Sequence, residues 1–374
     1  MGRRRRRQEA RAAEHHRAPA VAHPLRGRAH RAVQTAAPHA GEQGLHARAD
    51  RVADVRAEGV LRRGIGLDVK RWLLGSRPWF LTVAAVLVLH GSTLAFWRGS
   101  FEWSRFALAL VGLVMLHGSV NLLNDWHDYS KTGIDRVVRR TPFSGGSGQL
   151  TAGNLSAAEA LAAGLIALAV GSTMGLLLVA DLFRERAGGG WPLLAIGATG
   201  VLVIVLYTPV ALKIGLGELL AGLGLGMLPV LGVYYAHTLR LDAAAWWSSV
   251  PALLLTLNLL YLNEFPDWAA DKVGKRRHLV ILLGPRRASR LYAVVEAAAF
   301  AGIVGGVAAG ALTPWSLLGL GGIVPAAVAV RGALAHYDKF EELFPALGAN
   351  VAAVLATNML LALGYLIAGV LARG

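Results

Sequence analysis

The chain has 374 residues, 55% hydrophobic and only 16% charged, with a mean hydropathy of +0.47, against roughly 25% charged residues in an ordinary soluble enzyme. That composition excludes a soluble globular fold, and the absence of cysteine excludes a disulfide framework, a thiolate nucleophile and a cysteine-held metal. Of the formal net charge of +15, residues 1–63 carry +9, from fifteen arginines and six acidic residues.

That opening segment is rich in Arg, Ala and His, poor in aromatics and without hydrophobic period. Disorder is therefore expected of it, and no nucleic-acid partner. It also lacks the apolar core of a secretory signal. Residues 1–65 read as a disordered basic arm suited to anionic lipid, or as upstream sequence translated from an early start codon. The second reading is preferred, and no function is placed there. Residues 66–374 read as a transmembrane domain.

Nine apolar runs follow, at about 78–97, 105–123, 157–180, 191–212, 216–239, 245–262, 288–310, 315–331 and 347–371, each near the roughly 20 residues needed to cross a bilayer. The expected fold class is all-α, a polytopic membrane protein of nine transmembrane helices. Ser156 and Glu159 mark the start of the third as a capping box. Gly222 with Gly226 and Gly306 with Gly310 suit close helix packing in lipid. His90, His117, His237 and Asn258 are expected to serve packing or interhelical hydrogen bonding. Lys and Arg concentrate in the connections after the even-numbered spans, which predicts a cytoplasmic N-terminus and an external C-terminus.

Two stretches break the apolar pattern. NLLNDWHDY sets Asn121, Asn124, Asp125 and Asp128 at i, i+3, i+4 and i+7, one face of a continued helix. YLNEFPDWAADKVGKRR repeats the arrangement after the sixth span with Asn263, Asp267 and Asp271, followed by Lys275 and Arg276. Carboxylates near hydrocarbon cost several kcal/mol unless compensated, and four converging from two helix ends repel one another. A hard divalent cation resolves both problems; Mg²⁺ is held by one or two carboxylates together with substrate phosphates. An isolated cluster reads equally well as a polar helix end, whereas a matched pair on the cytoplasmic side points to a site.

Between the clusters, RRTPFSGGSGQL offers Arg139, Arg140 and a glycine-rich turn whose N–H groups suit an anion. YTPVALKIGLGELL places Lys213 and Glu218 in a short turn between the fourth and fifth spans. Beside carboxylate-held metal, Lys213 is a candidate diphosphate clamp.

Together these residues resemble the UbiA superfamily of intramembrane prenyltransferases. NDWHD at 124–128 and NEFPDWAAD at 263–271 are similar to its two aspartate-rich motifs, and GKRR at 274–277 to the basic run after the second. Within it, NLLNDWHDYSKTGID, GLGEL and VLGVYY resemble the 1,4-dihydroxy-2-naphthoate polyprenyltransferases of menaquinone synthesis. The general pattern has a further aspartate four residues after Asp128, where this chain has Thr132 and then Asp135.

The resemblance implies a UbiA-like bundle and Mg²⁺ as cofactor, held by Asp125, Asp128, Asp267 and Asp271. It implies a prenyl diphosphate donor, an aromatic acceptor headed by dihydroxynaphthoate, and the lipid bilayer as partners. Asn121, Asn124 and Asn263 would flank the metal, Lys213, Arg139, Arg140, Lys275 and Arg276 would neutralise the diphosphate, and Tyr207 would face a carbocation. The place implied is a bacterial or archaeal cell membrane, with the site facing the cytoplasm. Transfer to a prenylglycerol phosphate or a phosphoribose stays open. A cation-coupled transporter, the rival from another class, would put its ionisable residues near mid-span; a CDP-alcohol phosphotransferase would need a motif that is missing.

Overall fold

An apolar run in lipid becomes a helix because only an internally paired backbone satisfies its amides there. A computed structural model describes residues 69–136, 138, 140, 141 and 143–374, all within the unit Arg56–Gly374. The arm at 1–65 and the residue Arg139 lie outside the described residues. Among the described residues there is no strand. Nine helices among them are long and apolar enough to cross a membrane. In chain order these spans are Pro78–Trp97, Trp103–Thr132, Ala157–Glu185, Gly190–Ile214, Gly217–Thr238, Ala243–Val273, Pro285–Ala308, Pro314–His336 and Phe344–Leu371.

The largest core cluster joins the first, fifth, sixth, seventh and ninth spans through Leu87, Leu94, Tyr234, Leu255, Ile303, Leu361 and Tyr365. Close approach there depends on glycine. A Cβ on Gly226 would lie 2.4 Å from the Ala252 carbonyl oxygen, and one on Gly222 would lie 2.8 Å from that of Leu253. The fifth span thus lies against the backbone of the sixth, as the small-residue spacing predicted. The second glycine pair divides its roles. Gly306 packs on Leu312 and Trp247, whereas Gly310 has φ +68° with nothing within 4 Å and turns the chain after the seventh span ends.

Polar side chains lock the bundle internally. His90 contacts Asn358 Oδ1 at 2.9 Å and Ser248 Oγ at 2.7 Å, and Asn258 donates to Tyr292 O at 3.1 Å and Glu296 Oε2 at 2.6 Å. His237 Nδ1 accepts from the Glu102 N–H at 3.1 Å. His117 is buried, but its Nδ1 has no hydrogen-bond partner, and the residue lines the cavity described below. The third span starts on the anticipated capping box, with the Glu159 N–H donating to Ser156 Oγ at 3.1 Å and the Ser156 N–H to Glu159 Oε2 at 2.8 Å.

The second and sixth spans run well past the limits read from hydropathy, to Thr132 and Val273. Hydropathy stops where Asn and Asp begin, but here most of those side chains are paired inside the protein and the helices continue. The second span widens into a π turn at Asp128–Thr132, and the fourth does so at Tyr207–Ala211.

Replacing Gly226 by Val is expected to lower the unfolding midpoint of the detergent-solubilised protein by several degrees, at a cost of about 1–3 kcal/mol. Gly175→Ala, in a helix where a Cβ meets nothing within 4 Å, should leave the midpoint unchanged or raise it.

Candidate active site

The face predicted on the second span is present. Asn121, Asn124 and Asp128 line a cavity of about 740 Å³, and the sixth span presents Asn263, Asp267 and Asp271 to the same space. The two helix ends are tied by one guanidinium. Arg276 Nη2 donates to both oxygens of Asp128, at 2.7 and 2.5 Å, while Nη1 donates to Asp271 Oδ1 at 2.9 Å. Burial works against the charge of Arg276, but Asp128 and Asp271 more than reverse it and hold the guanidinium above its ordinary range. Arg277 and Gly274 complete the junction: the Arg277 N–H donates to Leu212 O at 2.8 Å. Any side chain at 274 would run into Ile134, 2.0 Å from its Cδ1.

A second arginine balances the first motif. Arg77, in a left-handed conformation (φ 56°) just before the first span, pairs with Asp125 and reaches Asn124 Oδ1 at 3.5 Å. Burial lowers its basicity, and the carboxylates of Asp125, Asp128 and Asp267 raise it further than burial lowers it. Asp125 is 3% exposed, and its carboxylate is held by Arg77 and by the Ser147 N–H.

The glycine-rich turn presents its amides to anions, as its pattern predicted. Its amides serve the protein's own carboxylates: the Gly145 N–H donates to Asp267 Oδ2 at 3.1 Å and the Ser147 N–H to Asp125 Oδ2 at 2.9 Å. Gly145, Gly146 and Gly148 take φ of 80°, 79° and 71°, which L side chains rarely adopt. A Cβ on Gly146 would crowd Asp125 Oδ1 and Asp135 Oδ1, each 3.2 Å away.

Asp135 therefore supplies a further carboxylate at the first helix end. Thr132 Oγ1 donates to Asp128 O at 3.1 Å and closes the π turn; Gly133 then reverses the chain at φ 70° and a short 3₁₀ turn, Ile134–Arg136, brings Asp135 to the cavity. Burial pushes the Asp135 carboxyl above its ordinary range; Arg140 opposes this, and the charges of Asp125 and Asp128 add to it.

Of the remaining predicted residues, Tyr207 lines the cavity on its π turn. Lys213 and Lys275 are exposed and absent from the cavity wall, a correction that follows from geometry: Lys213 lies beyond the π turn that aims Tyr207 inward, and Lys275 takes a left-handed φ of 57° that turns the chain. Arg140 is at the rim, bonded to the Asp135 carbonyl at 2.7 Å and to its carboxylate. Asn121 donates to Ser76 O at 2.8 Å, and Asn124 to Thr208 Oγ1 at 3.1 Å. Sequence reasoning missed the roles of Arg77, Glu264 and His278. For Arg77 a signal existed, an arginine directly before a proline-initiated span, but it reads like any basic anchor at a membrane boundary.

On the aspartate and asparagine side chains that line the cavity, two oxygens remain without partners. Asp267 Oδ1 and Asn263 Oδ1 are buried and accept no hydrogen bond. With Asp128, Asp135 and Asp271 on the same cavity wall, they offer only oxygen donors, the chemistry that suits a hard divalent cation such as Mg²⁺. Away from this polar end the cavity is apolar, walled by Leu116, Leu176, Val201, Leu202 and Leu228 from the second to fifth spans. One compartment thus joins a polar, charged head to an apolar tail.

Comparison with known proteins agrees. Residues 82–351 match the model of the UbiA prenyltransferase family. The chain is 31% identical over 268 residues to 1,4-dihydroxy-2-naphthoate octaprenyltransferase of Mycobacterium tuberculosis, covering 70% of this chain and 85% of that one. It is 28% identical over 247 residues to the Bacillus subtilis protein of the same name, covering 65% and 75%. An apo UbiA homologue from Aeropyrum pernix K1 superimposes with a TM-score of 0.54 at 18% identity, over 78% of this chain and 98% of that one. An Archaeoglobus fulgidus homologue bound to GPP and Mg²⁺ gives 0.50 at 14% identity, over 78% and 99%. The family match takes in both carboxylate-bearing helix ends, and this chain belongs to the UbiA prenyltransferase family, integral membrane enzymes that transfer a prenyl group.

Proposed function

We propose that this enzyme transfers a polyprenyl chain from an allylic prenyl diphosphate to 1,4-dihydroxy-2-naphthoate, with Mg²⁺ as cofactor, in menaquinone biosynthesis. The observation that carries the reading is the meeting of two carboxylate-bearing helix ends at the polar head of an otherwise apolar cavity. The octaprenyltransferase relatives at 28% and 31% identity support the choice of acceptor. The enzyme sits in a cell membrane with its catalytic end toward the cytoplasm, as the basic connections suggest, and its catalytic domain is residues 66–374.

Asp128, Asp267 and Asp271, with the amide oxygen of Asn263, would hold Mg²⁺, and Asp135 stands beside them. When bound, Mg²⁺ supplies Lewis-acid neutralisation of the diphosphate and a template for its orientation. Arg77 and Arg276, already at the cavity wall, bind the diphosphate oxygens and stabilise negative charge as the allylic C–O bond breaks. The apolar wall takes the prenyl chain and keeps water from the carbocation. Tyr207 turns its ring toward that cation from the π turn. The acceptor ring then attacks through carbon, and loss of carbon dioxide restores aromaticity.

Membranes containing the full chain, given labelled prenyl diphosphate, Mg²⁺ and dihydroxynaphthoate, should form a prenylated naphthol that chelator abolishes. Prenylglycerol phosphate or phosphoribose accepted in preference would replace the acceptor, and ion flux without diphosphate release would sink the reading. Asp128→Asn and Asp267→Asn should each lower turnover about 10²–10³-fold, comparable to losing a transition-state electrostatic group, with the protein still folded. Arg276→Ala should raise KM for the diphosphate at least about tenfold, the value of roughly 1.4 kcal/mol of lost binding. Lys213→Ala should stay within about twofold of the parent, because an exposed surface charge contributes little.

A further inference from the structure

Beside the carboxylates assigned above lies a second cluster that the transfer reaction does not use. Glu218 comes from the fifth span, Glu264 from the sixth, and His278 from the segment after it. All three are buried, at 1%, 5% and 1% exposure. One carboxylate oxygen from each glutamate and one ring nitrogen of His278 lie within 4.8 Å of one another.

The second observation is what these atoms lack. Glu264 Oε2 and both nitrogens of His278 are buried without a hydrogen-bond partner. Glu218 Oε1 accepts from the Leu279 N–H at 2.6 Å, a bond that orients the carboxylate. Glu264 Oε2 stands 3.5 Å from His278 Nδ1, long for a hydrogen bond. It matches the edge of a tetrahedron whose ligand bonds are about 2.0–2.1 Å, roughly 3.4 Å. On the far side of the ring, Nε2 is 3.2 Å from Asp271 Oδ2, within ion-pair distance but outside hydrogen-bond geometry, so a small turn of the ring would seat it on that carboxylate. A carboxylate behind an imidazole is the usual support of a metal-bound histidine, fixing its tautomer and raising its basicity.

The geometry points to a second divalent-cation site, made by Glu218, Glu264 and His278, for a nitrogen-tolerant first-row ion of the zinc or manganese class. The imidazole separates it from the all-oxygen set that suits Mg²⁺. Asp271 belongs to both neighbourhoods, through Arg276 and the oxygen set on one side and the histidine ring on the other. Glu264 also lines the cavity, so an ion held there is within reach of an anionic or phenolic oxygen of a bound substrate. The site stands independently of which acceptor the enzyme uses.

The test uses the purified full chain in detergent, stripped with chelator, returned to excess Mg²⁺ and titrated with Co²⁺ as a spectroscopic probe. Visible d–d absorption saturating at one equivalent is expected. His278→Ala and Glu264→Gln should each weaken Co²⁺ binding at least about tenfold, while Asp267→Asn should retain it. In the unaltered protein, Mn²⁺ added over excess Mg²⁺ should show a ¹⁴N coupling by pulsed electron paramagnetic resonance, a readout that does not depend on a variant folding. Absence of both signals would overturn the proposal. So would Co²⁺ binding lost in Asp267→Asn and kept in His278→Ala, which would put the ion among the aspartates and leave the cluster sharing protons instead.

Discussion

Four aspartates are buried where the second and sixth spans end, Asp125, Asp128, Asp135 and Asp271, and each is paired with an arginine that offsets the cost of burying its charge. Arg276 serves Asp128 and Asp271 at once, Arg77 serves Asp125, and Arg140 serves Asp135 from the rim. Removing one partner of such a pair leaves an uncompensated charge, at about 3–5 kcal/mol. The same pairs set the geometry. By bridging two helices, Arg276 fixes the separation of the motifs, and the Gly274 contact with Ile134 lets the loops close over it. The glycine-rich turn then finishes the shell with amides.

This arrangement gives the cavity its two characters. At one end, charges and unpartnered oxygens are held in place by bonds made before any ligand arrives, so little reorganisation is required of them. Along the rest of its length, leucine and valine side chains face the interior. The opposite ends of the second, third and fifth spans are pinned instead by Arg105, which donates to Asp181 Oδ2 at 2.8 Å and Ala236 O at 2.9 Å and pairs with Glu185. Rigidity is thus built from polar contacts at both ends and glycine-mediated backbone approach between them.

Much of the site was legible because helical period is a local property. Asn121 through Asp128, and Asn263 through Asp271, declare one face each by spacing alone. The pairing of cations was not legible. Lys213 and Lys275 looked as suitable as Arg276 and are exposed, while Arg77 looked like a membrane-boundary anchor and reaches the cavity. What separates them is where π turns and left-handed residues aim the chain. Asp135 was recognised as a candidate, but its arrival depended on Gly133 reversing the backbone. Glu264 carried no signal because its neighbours, Glu218 and His278, belong to other elements.

The sequence by itself determined a nine-span helical membrane bundle and two acidic helix ends, since twenty-residue apolar runs and i, i+4 spacing express themselves within a single helix. It also determined the family, through motifs contiguous along the chain. Only the tertiary structure decided which arginines neutralise which aspartates, that the glycine-rich turn cradles carboxylates, and that two glutamates meet a histidine. Those outcomes depend on distances between residues far apart in sequence, and such distances are set by how helices pack, which no local pattern encodes.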